Sequence, residues 1–567
     1  MLLTHRLFLA GAVLMLAGAS LAIAPPVARA AAAGGDPCAA PSEELEFTEA
    51  IIDPTRAGGE PIVLTMGDGA LLWGSHAGTT HFYGPEAPDA DTAAFVQNYR
   101  GQTYQYFSED NGKTWNFIDR PPIPRPELGT IAGLPASGFS DPEFAVDAAG
   151  QVYISEINLV NVAVSKSVDG GRTYGVANPF AFTSTDRQWM AADAKDVLYM
   201  TGNGFGGGTF PRDVVGTVGH FFAKSTDGGV TWSEAITSNS NGVGDIQIDR
   251  SDGTLYEISA TAAGDNGTIS MAAFRNIRNE DGPAASDFTE PELSTIAEGV
   301  GYGPIQRLID PTFDMDRAGN LYIVWTEDGT GDAGRAAGIW YSYSDDRAKT
   351  WAAPIRVDPD ERTDIWPWLA VGDEGKVAVT YLATEAELAE NNAELAADDD
   401  GWNVIVAQTL NGLGCDGSAT PGFTRTQASS EPVHYGTICM GGTVCQAELV
   451  DRRLGDYFAN EIDMQGNTYV SVSNTTAGGS VALPMVIRQI GGPTFGPPVA
   501  VDPPDPDPDP DPDPTDDPTD EDPPGGDVGD DDDDRGPSLP ATGGGVAVGL
   551  GLLLVGSGLI LRRRSQH

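Results

Sequence analysis

The chain has 567 residues, and its 82 acidic against 32 basic side chains give a formal net charge of −50 at pH 7. This excess argues against nucleic acid as a partner, because binding to phosphates requires lysine and arginine. It is compatible with life at high salt or with bound divalent cations, so calcium is a candidate cofactor.

The first thirty residues have the pattern of a secretory signal peptide. His5 and Arg6 precede an apolar stretch over residues 7–24, and residues 28–30 (Ala-Arg-Ala) form a small-x-small cleavage site. We therefore expect residues 1–30 to be removed and the mature protein to be exported.

Four cysteines in an exported chain predict two disulfides. Cys439 and Cys445 enclose only five residues and could close a tight loop, in which case Cys38 pairs with Cys415. Two other pairings remain open. None of the cysteine spacings suits a zinc site, and the sequence predicts no metal site.

An octapeptide of the form Ser-x-Asp-x-Gly-x-Thr-Trp occurs four times, over residues 108–115, 167–174, 225–232 and 344–351. The spacing of the copies indicates a lost fifth copy near residue 287, with Ser286 and Asp287 as its remnant. An aspartate followed by glycine favours a tight turn, and the Thr-aromatic pair favours a strand after it. The aspartates of the four copies are Asp110, Asp169, Asp227 and Asp346.

A second repeat, an apolar run followed by Asp-x-x-Gly-x-x-Tyr or a weaker version of it, predicts seven β-hairpins. They cover residues 62–73, 144–153, 190–199, 246–256, 313–322, 368–379 and 462–469. A helical insertion is expected over residues 385–400. Short sheets repeated around an axis bury a continuous core and protect their edges. We therefore predict an all-β fold with one β-propeller over residues 43–496, seven blades being favoured over six.

The octapeptide resembles the Asp-box (BNR) hairpin of sialidase-like proteins. In that family the Asp boxes are structural and lie opposite the active site, which implies a functional face where the innermost strands begin. An arginine triad there binds the substrate carboxylate, and a tyrosine works with a glutamate. The resemblance implies the catalytic candidates Glu143, Arg187, Arg307, Arg453 and Tyr457.

The chain departs from the family at one arginine. Sialidases carry Arg-Ile/Leu-Pro before the first inner strand, whereas here Arg56 stands five residues from Pro61. Neither Tyr457 nor Tyr302 follows a family motif. Acidic neighbours make structural ion pairs an equally good explanation for the arginines at the strand starts, which also include Arg362.

Two further segments are candidates for the functional face. His76 and His81 could share a site, although a loop histidine bonded to the backbone is the favoured interpretation. Residues 434–458 concentrate polar and aromatic groups beside the predicted Cys439–Cys445 loop. They form either a loop of the functional face or a covalent staple for the last blades.

The C-terminal region begins with an acidic stalk. Residues 501–538 contain sixteen Asp and one Glu against one arginine, Arg535, with alternating Asp-Pro pairs. This composition predicts an extended, disordered linker, which could cross a cell wall. A run of acids at residues 530–534 is more typical of a solvated segment than of a calcium site.

Residues 539–567 resemble the sorting signal of Gram-positive surface proteins. Leu-Pro-Ala-Thr-Gly at 539–543 precedes an apolar run at 546–561 and three arginines at 562–564. The resemblance implies that a sortase cleaves between Thr542 and Gly543 and transfers the protein to peptidoglycan. The protein is then extracellular and wall-anchored, and its C-terminal membrane segment is transient.

Three functions fit these features. The first is a binding module whose functional face, where the innermost strands begin, holds a glycan or another surface polymer. The second is an exo-α-sialidase-like glycoside hydrolase acting on acidic sugars. The third is an adhesive or structural surface protein without a small-ligand site. Whether the protein is an enzyme stays open at this point.

Overall fold

The computed structural model describes residues 41–497 except 42, 68, 78–102, 121–139, 158–160, 184, 206–214, 217, 239–241, 262–266, 279–287, 289, 302–310, 360–361, 415–419, 440–450 and 480. The chain divides after Asp505, and every described residue belongs to the part Met1–Asp505. The predicted signal peptide, the stalk, the sorting signal and the remnant at residues 286–287 lie outside the described residues.

Within the described ranges, thirty strands form seven sheets, one for each blade. The first strand of the chain is β1 (Glu46–Ile51). Blade 1 contains β2 (Ile62–Thr65), β3 (Leu71–Ser75), β4 (Tyr104–Ser108) and β5 (Asn116–Phe117). Blade 2 contains β6 (Ser140–Val146), β7 (Val152–Ile157), β8 (Asn161–Ser167) and β9 (Gly175–Thr183). Blade 3 contains β10 (Thr185–Ala192), β11 (Leu198–Phe205), β13 (Val218–Ser225) and β14 (Ile236–Thr237), while β12 (Val215–Gly216) pairs in parallel with β9.

The remaining blades follow in chain order. Blade 4 contains β15 (Gly242–Asp249), β16 (Thr254–Thr261), β17 (Gly267–Phe274) and β18 (Glu292–Val300). Blade 5 contains β19 (Thr312–Met315), β20 (Leu321–Glu327), β21 (Gly338–Ser344) and β22 (Ile355–Arg356). Blade 6 contains β23 (Thr363–Val371), β24 (Val377–Thr384), β25 (Gly401–Thr409), β26 (Thr424–Gln427) and the short β27 (His434–Tyr435). Blade 7 contains β28 (Ala459–Ile462), β29 (Thr468–Asn474) and β30 (Leu483–Gly491). The predicted all-β propeller is confirmed, with seven blades.

The two innermost strands of each blade are the predicted hairpins, and their turns show why the repeat has its sequence. In blade 2, Asp147 Oδ1 accepts hydrogen bonds from the backbone N–H groups of Ala149 and Gln151 at 2.9 and 3.0 Å. Tyr153 Oη donates to Asp147 Oδ2 at 2.9 Å, and Gly150 takes a φ of +75°. The carboxylate therefore organises the turn, while the tyrosine two residues into the next strand fixes it to the core.

The four octapeptides connect the third and fourth strands in blades 1, 2, 3 and 5. Asp169 is representative. It accepts hydrogen bonds from Ser167 Oγ at 2.7 Å, from Thr173 N at 2.9 Å and from Thr173 Oγ1 at 2.6 Å. Because successive strands are antiparallel, these turns lie at the end of the blade opposite to the start of its innermost strand. We call the face where the innermost strands begin the top face.

Strand β1 closes the ring. It pairs antiparallel with β30, from Glu46 opposite Gly491 to Ile51 opposite Met485. Blade 7 therefore combines an outer strand from the beginning of the propeller with three strands from its end. Leu45 contributes to the same hydrophobic cluster as Met485 and Ile487, so the closing segment is held by packing as well as by hydrogen bonds.

The structure also bears on the predicted helical insertion and on the predicted disulfides. The predicted helical insertion over residues 385–400 is wrong, because this segment contains only two single 3₁₀ turns, Ala389–Asn391 and Ala393–Leu395. Cys439 is buried and is not a free thiol. Cys38, Cys415 and Cys445 lie outside the described residues, so both disulfide pairings stay predictions. No helix within the described ranges is long and apolar enough to cross a bilayer.

Candidate functional site

Four of the described innermost strands have a register shift near their start on the top face, and three of them, β6, β10 and β23, share the same backbone irregularity. The pairing register shifts between Ser140 and Glu143 in β6, between Asp186 and Trp189 in β10, and between Ile365 and Trp368 in β23. Within each bulge one residue other than glycine has a positive φ: Asp141 at 49°, Arg187 at 54° and Trp366 at 55°. Bulges of this kind re-aim side chains and often adjoin functional sites.

The bulges of β6 and β10 and the segment before β28 enclose a recess on the top face. The enclosed cavity has a volume of about 20 Å³, which is room for about one water molecule, within a more open space of about 340 Å³ that includes solvent. Its lining residues are Asp141, Pro142, Glu143, Asp186, Arg187, Gln188, Trp189, Asp456 and Tyr457.

An aromatic cluster closes the recess on the side of the propeller axis. The ring centroids of Trp189 and Trp368 are 6.2 Å apart, those of Trp189 and Tyr457 are 6.0 Å apart, and those of Trp368 and Tyr457 are 5.8 Å apart. Tyr457 Oη donates a hydrogen bond to the Pro142 carbonyl at 3.4 Å. Burial and the nearby carboxylates, Glu60 first among them, raise the pKa of Tyr457 well above its ordinary value. The phenol therefore stays protonated at neutral pH, which is unfavourable for a nucleophile.

Two aspartates of the recess have pKa values displaced in opposite directions. Burial and the negative charge of Asp141 raise the pKa of Asp186 to about 6. Burial opposes the ionisation of Asp141 too, but hydrogen bonds and charge from His76, together with a hydrogen bond from Ser140, outweigh it and lower the pKa of Asp141. One carboxyl is thus a good proton donor near neutral pH while the other is ionised.

Two buried polar atoms of recess-lining residues have no hydrogen-bond partner within the described part of the chain. They are Oε1 of Gln188, a residue 2% exposed, and the indole N–H of Trp189, a residue 6% exposed. The Gln188 amide is held in place by its own Nε2, which donates to the carbonyl of Asp141. Such atoms are a minority in native proteins, and other described side chains carry them too, among them Trp73 Nε1 and Tyr256 Oη. An ordered water or a group from outside the chain would satisfy them.

A second cluster lies beside the recess and shares Asp141 with it. Nε2 of His76 contacts Oε2 of Glu60 and lies 3.3 Å from Oδ1 of Asp141 and 3.0 Å from Oγ of Ser140. Arg452 stands behind Glu60, with Nη2 3.7 Å from Glu60 Oε1, and also contacts Asp456. Glu60 and His76 are 2% and 1% exposed, so this is an internal cluster of charges.

Glu143 also belongs to a group of four carboxylates on innermost strands, which line the propeller axis. Burial, followed by the charges of Asp245 and Glu461, raises the pKa of Glu143 well above its usual range. Burial and the charge of Asp314 raise the pKa of Asp245 to about 8, while burial raises that of Asp314 to about 6. Burial together with Asp314 and Asp245 raises the pKa of Glu461 as well.

The predicted arginines do not converge in the described part of the chain. Arg56 pairs with Asp53 at 2.6 Å and lies 3.8 Å from the centroid of Phe117. Arg362 pairs with Glu385 at 3.1 Å. Only Arg187 among the described arginines lines the recess.

Arg453 is tied to its own segment instead of pointing to the recess. Its Nε donates to both oxygens of Asp451, at 3.0 and 2.9 Å, and its Nη1 donates to the carbonyl of Gly479 at 2.6 Å. Arg307, Tyr302 and His81 lie outside the described residues. His434, the first residue of the segment 434–458, is buried between Thr475 Oγ1 at 2.8 Å and the Thr437 carbonyl at 3.0 Å. It therefore links blade 6 to blade 7.

The partners of His76 were not predictable from the sequence. Glu60 precedes β2, His76 follows β3 and Asp141 begins β6, so no local motif connects them. Arg452 was passed over in favour of its neighbour. The only sequence signal available was that all of these residues stand next to a predicted innermost hairpin, on the side that becomes the top face.

Comparisons with known proteins find distant structural neighbours. No protein-family model and no curated protein matches the chain. Among solved structures, a protein of unknown function from Dyadobacter fermentans is 13% identical with a TM-score of 0.37, over 78% of this chain and 98% of that one. The NanB sialidase from Streptococcus pneumoniae is 13% identical with a TM-score of 0.34, over 79% and 70%. An α-L-arabinofuranosidase of Fusarium graminearum is 13% identical with a TM-score of 0.30, over 54% and 93%. The structural neighbours are thus sialidases and other glycoside hydrolases, at a distance that decides nothing about activity.

Proposed function

We propose that the protein is an extracellular, cell-wall-anchored propeller that binds a glycan or another hydroxyl-rich surface polymer in the recess of its top face. The observation that carries this proposal is the pair of partnerless atoms, Gln188 Oε1 and the Trp189 indole N–H, on adjacent recess-lining residues. A hydroxyl group both donates and accepts, so the hydroxyls of a sugar can satisfy an acceptor as well as a donor.

The charge of the recess favours a neutral polymer over an acidic one. Its described lining carries four carboxyl groups, those of Asp141, Glu143, Asp186 and Asp456, against the single guanidinium of Arg187, and two of the four, Glu143 and Asp186, have raised pKa values. A sialic acid carboxylate would be repelled by this surface unless further cations joined it. Carboxylates are good acceptors for sugar hydroxyls, and the adjoining rings of Trp189 and Tyr457 offer apolar contact.

A second candidate function, glycoside hydrolysis, is favoured by the opposed pKa values of Asp186 and Asp141. Asp186 would donate a proton to the leaving oxygen, and ionised Asp141 would act as base or nucleophile on the other side of the sugar. This version needs no arginine triad. It differs from a sialidase mechanism in that the buried Tyr457 does not attack.

The binding proposal is tested by exchanging one indole for a ring without N–H. Trp189→Phe should weaken binding to purified wall glycans or arrayed neutral oligosaccharides by roughly 5–10-fold, the effect of one hydrogen bond of about 1–1.5 kcal/mol. Trp73→Phe is the matched control, because the Trp73 indole nitrogen is also buried without a partner but does not line the recess. Equal affinities of the parent and Trp189→Phe would contradict the proposal.

Hydrolysis is tested separately, with aryl glycosides of neutral sugars and an α-sialoside as substrates. Asp186→Asn should abolish turnover of a neutral substrate and leave binding in place, because the amide cannot donate the proton but keeps the shape of the side chain. Absence of turnover by the parent on every substrate, with binding retained, leaves the binding module as the function.

The anchoring part of the proposal rests on the chain ends. The apolar segment after His5 and Arg6, and the Leu-Pro-Ala-Thr-Gly motif before an apolar run and three arginines, support export and sortase attachment to peptidoglycan. Thr542→Ala should move the protein from the wall fraction to the membrane or the medium. Equal wall fractions of the variant and the parent would rule out sortase attachment.

A further inference from the structure

We propose that Glu60, His76 and Asp141 form a binding site for one divalent cation of the zinc or manganese type. This site is separate from the glycan recess, although Asp141 borders both, and the proposal does not depend on the protein binding a glycan.

The geometry of the three side chains is that of a ligand set. One oxygen of Glu60, one oxygen of Asp141 and one ring nitrogen of His76 all lie within 4.8 Å of one another. Among the described residues this is the only group of three His, Cys, Asp or Glu side chains with such a geometry. Three donor atoms within reach of one another are what a shared metal ion requires.

The position of His76 Nε2 supports a cation more directly than the proximity alone. This nitrogen faces three oxygens at once: Oε2 of Glu60, Oδ1 of Asp141 at 3.3 Å and Oγ of Ser140 at 3.0 Å. An imidazole nitrogen carries at most one proton, so it cannot direct a hydrogen bond to all three. Because His76 Nε2 and Glu60 Oε2 are in direct contact, a cation would contact all of these atoms once the two side chains separate to about 3 Å, the spacing of two ligands at about 2.0–2.2 Å from one metal. The same arrangement excludes a Ser-His-acid triad, in which the serine and the acid face different ring nitrogens.

The charge balance around the cluster points in the same direction. The carboxylates of Glu60, Asp141, Asp186 and Asp456 face the guanidinium groups of Arg187 and Arg452. With all four carboxyl groups ionised and His76 neutral, two formal negative charges are left over, which one divalent cation would neutralise. A protonated His76 would leave one. Buried charges are retained where they are paired or coordinate a metal.

The surrounding chain holds the ligands firmly. Glu60 and Asp141 have φ angles of 48° and 49°, values that only a constraining environment maintains in residues with a side chain. Gly455 passes so close to Glu60 that a Cβ at this position would lie 2.2 Å from Glu60 Cγ. Arg452 Nη2 stands 3.7 Å from the second oxygen of Glu60 and can orient it from behind.

The kind of cation follows from the donor atoms. Calcium and magnesium take oxygen ligands and seldom imidazole, whereas a mixture of one imidazole with carboxylates suits zinc and manganese. The set supplies three side-chain ligands, with Ser140 Oγ near enough to become a fourth. A structural zinc site has four protein ligands, so this set fits either a closed site with Ser140 or a site that keeps one position for water.

Metal binding is tested on the full chain in mild detergent, after treatment with a chelator and its removal. Titration calorimetry with Zn²⁺ and Mn²⁺ should show one tight equivalent, and the metal should raise the Tm by several degrees. His76→Gln and Asp141→Asn should each lower the affinity by at least 100-fold. His220→Gln is the matched control, because His220 also contacts a buried carboxylate, Glu257 at 2.8 Å, but lies outside the group of three ligands.

The coordination itself is tested by X-ray absorption at the metal edge. The spectrum of the parent should show one imidazole and oxygen ligands at about 2.0–2.2 Å. A spectrum of oxygen ligands alone would place the metal on the acidic stalk and overturn the proposal, even if a His76 variant failed to fold. Identical titrations of the parent and a correctly folded His76→Gln variant would overturn it too, as would the absence of a tight equivalent.

Discussion

At the scale of single residues, the Asp-box aspartates stabilise turns and do not approach the recess. Asp227, like Asp169, receives hydrogen bonds from the preceding serine and from the threonine four residues on, at 2.6–2.9 Å. Asp227→Ala should therefore lower the free energy of unfolding by roughly 1–2 kcal/mol, because several turn groups lose their acceptor. Urea unfolding measures the loss. Binding per folded molecule should stay unchanged, and a selective loss of binding would place the box in the functional site.

The fourth box offers a substitution that should stabilise the protein. Ala348 stands where the other three boxes have glycine, and its φ is +62°. Ala348→Gly should raise the free energy of unfolding by about 0.5–1 kcal/mol, because glycine adopts this conformation without steric cost.

The control is the reverse substitution, glycine to alanine, at the corresponding position of the second box. Gly171→Ala should be strongly destabilising, because φ there is +88° and the new Cβ would lie 2.5 Å from a methyl group of Leu72. Thermal unfolding of both variants checks the pair. If both lose stability, backbone strain at Ala348 is not the controlling factor.

The sequence revealed the residues whose role is local and concealed those whose role is tertiary. Asp169 could be recognised because every group that it binds lies within four residues. Glu60, His76 and Asp141 could not, because their contact exists only after blades 1 and 2 pack together. Arg453 was misleading for the same reason. Its ion pair with Asp451 is two residues away, but its remaining contacts come from the turn before β30.

At the scale of strands and turns, the hairpins were predictable and the insertion in blade 6 was not. Residues 385–400 are rich in alanine and glutamate, which favours a helix. Glu390 and Asn391 nevertheless have φ angles of 56° and 51°, and the buried Asn391 side chain bonds both the N–H and the carbonyl of Asp364. A tertiary contact with β23 therefore overrides the local preference.

Strand β1 gives a prediction at this scale. Removing residues 31–51 should leave β30 as an exposed edge and uncover Met485 and Ile487 of the blade 7 core. We expect a Tm at least 10 °C lower than that of the chain starting at residue 31, together with concentration-dependent association. Scanning calorimetry and light scattering measure both effects. An unchanged Tm would show that the ring is stable without its closing strand.

At the scale of the whole molecule, the four axial carboxylates should set the pH dependence of stability. Glu143, Asp245, Asp314 and Glu461 have raised pKa values in the folded state, so the folded protein binds their protons more tightly than the unfolded chain does. Stability from these groups is fully present below about pH 4 and is lost as the pH rises through about 6 for Asp314 and about 8 for Asp245.

The Asp boxes have the opposite effect on the pH dependence of stability. Although partial burial opposes it, hydrogen bonds from Thr114, Ser108 and Lys113 lower the pKa of Asp110 to about 2. The stability from these bonds is present above about pH 4 and is lost as the pH falls toward 2. The Tm should therefore be highest near pH 4–5.

Replacing one axial acid tests the balance. Asp245→Asn should raise the Tm at pH 8 by several degrees relative to its effect at pH 4, because the variant no longer requires a buried proton. Asp399→Asn, at an exposed position, is the control and should shift the curve at neither pH. A parent whose Tm increases steadily from pH 5 to 8 would refute the role of the axial carboxylates.

The pairing of β1 with β30 also determines how long the propeller stays open during its synthesis. Glu46 cannot find its partner Gly491 until nearly the whole propeller has left the ribosome. At about 5–20 residues per second, this wait is on the order of a minute. During this time the blades already synthesised cannot close the ring, so the sheet edges at both ends of the row of blades are unprotected. Proteases and other growing copies can reach those ends. The propeller is therefore most exposed to proteolysis and association during its synthesis, and this period ends when β30 emerges and pairs with β1.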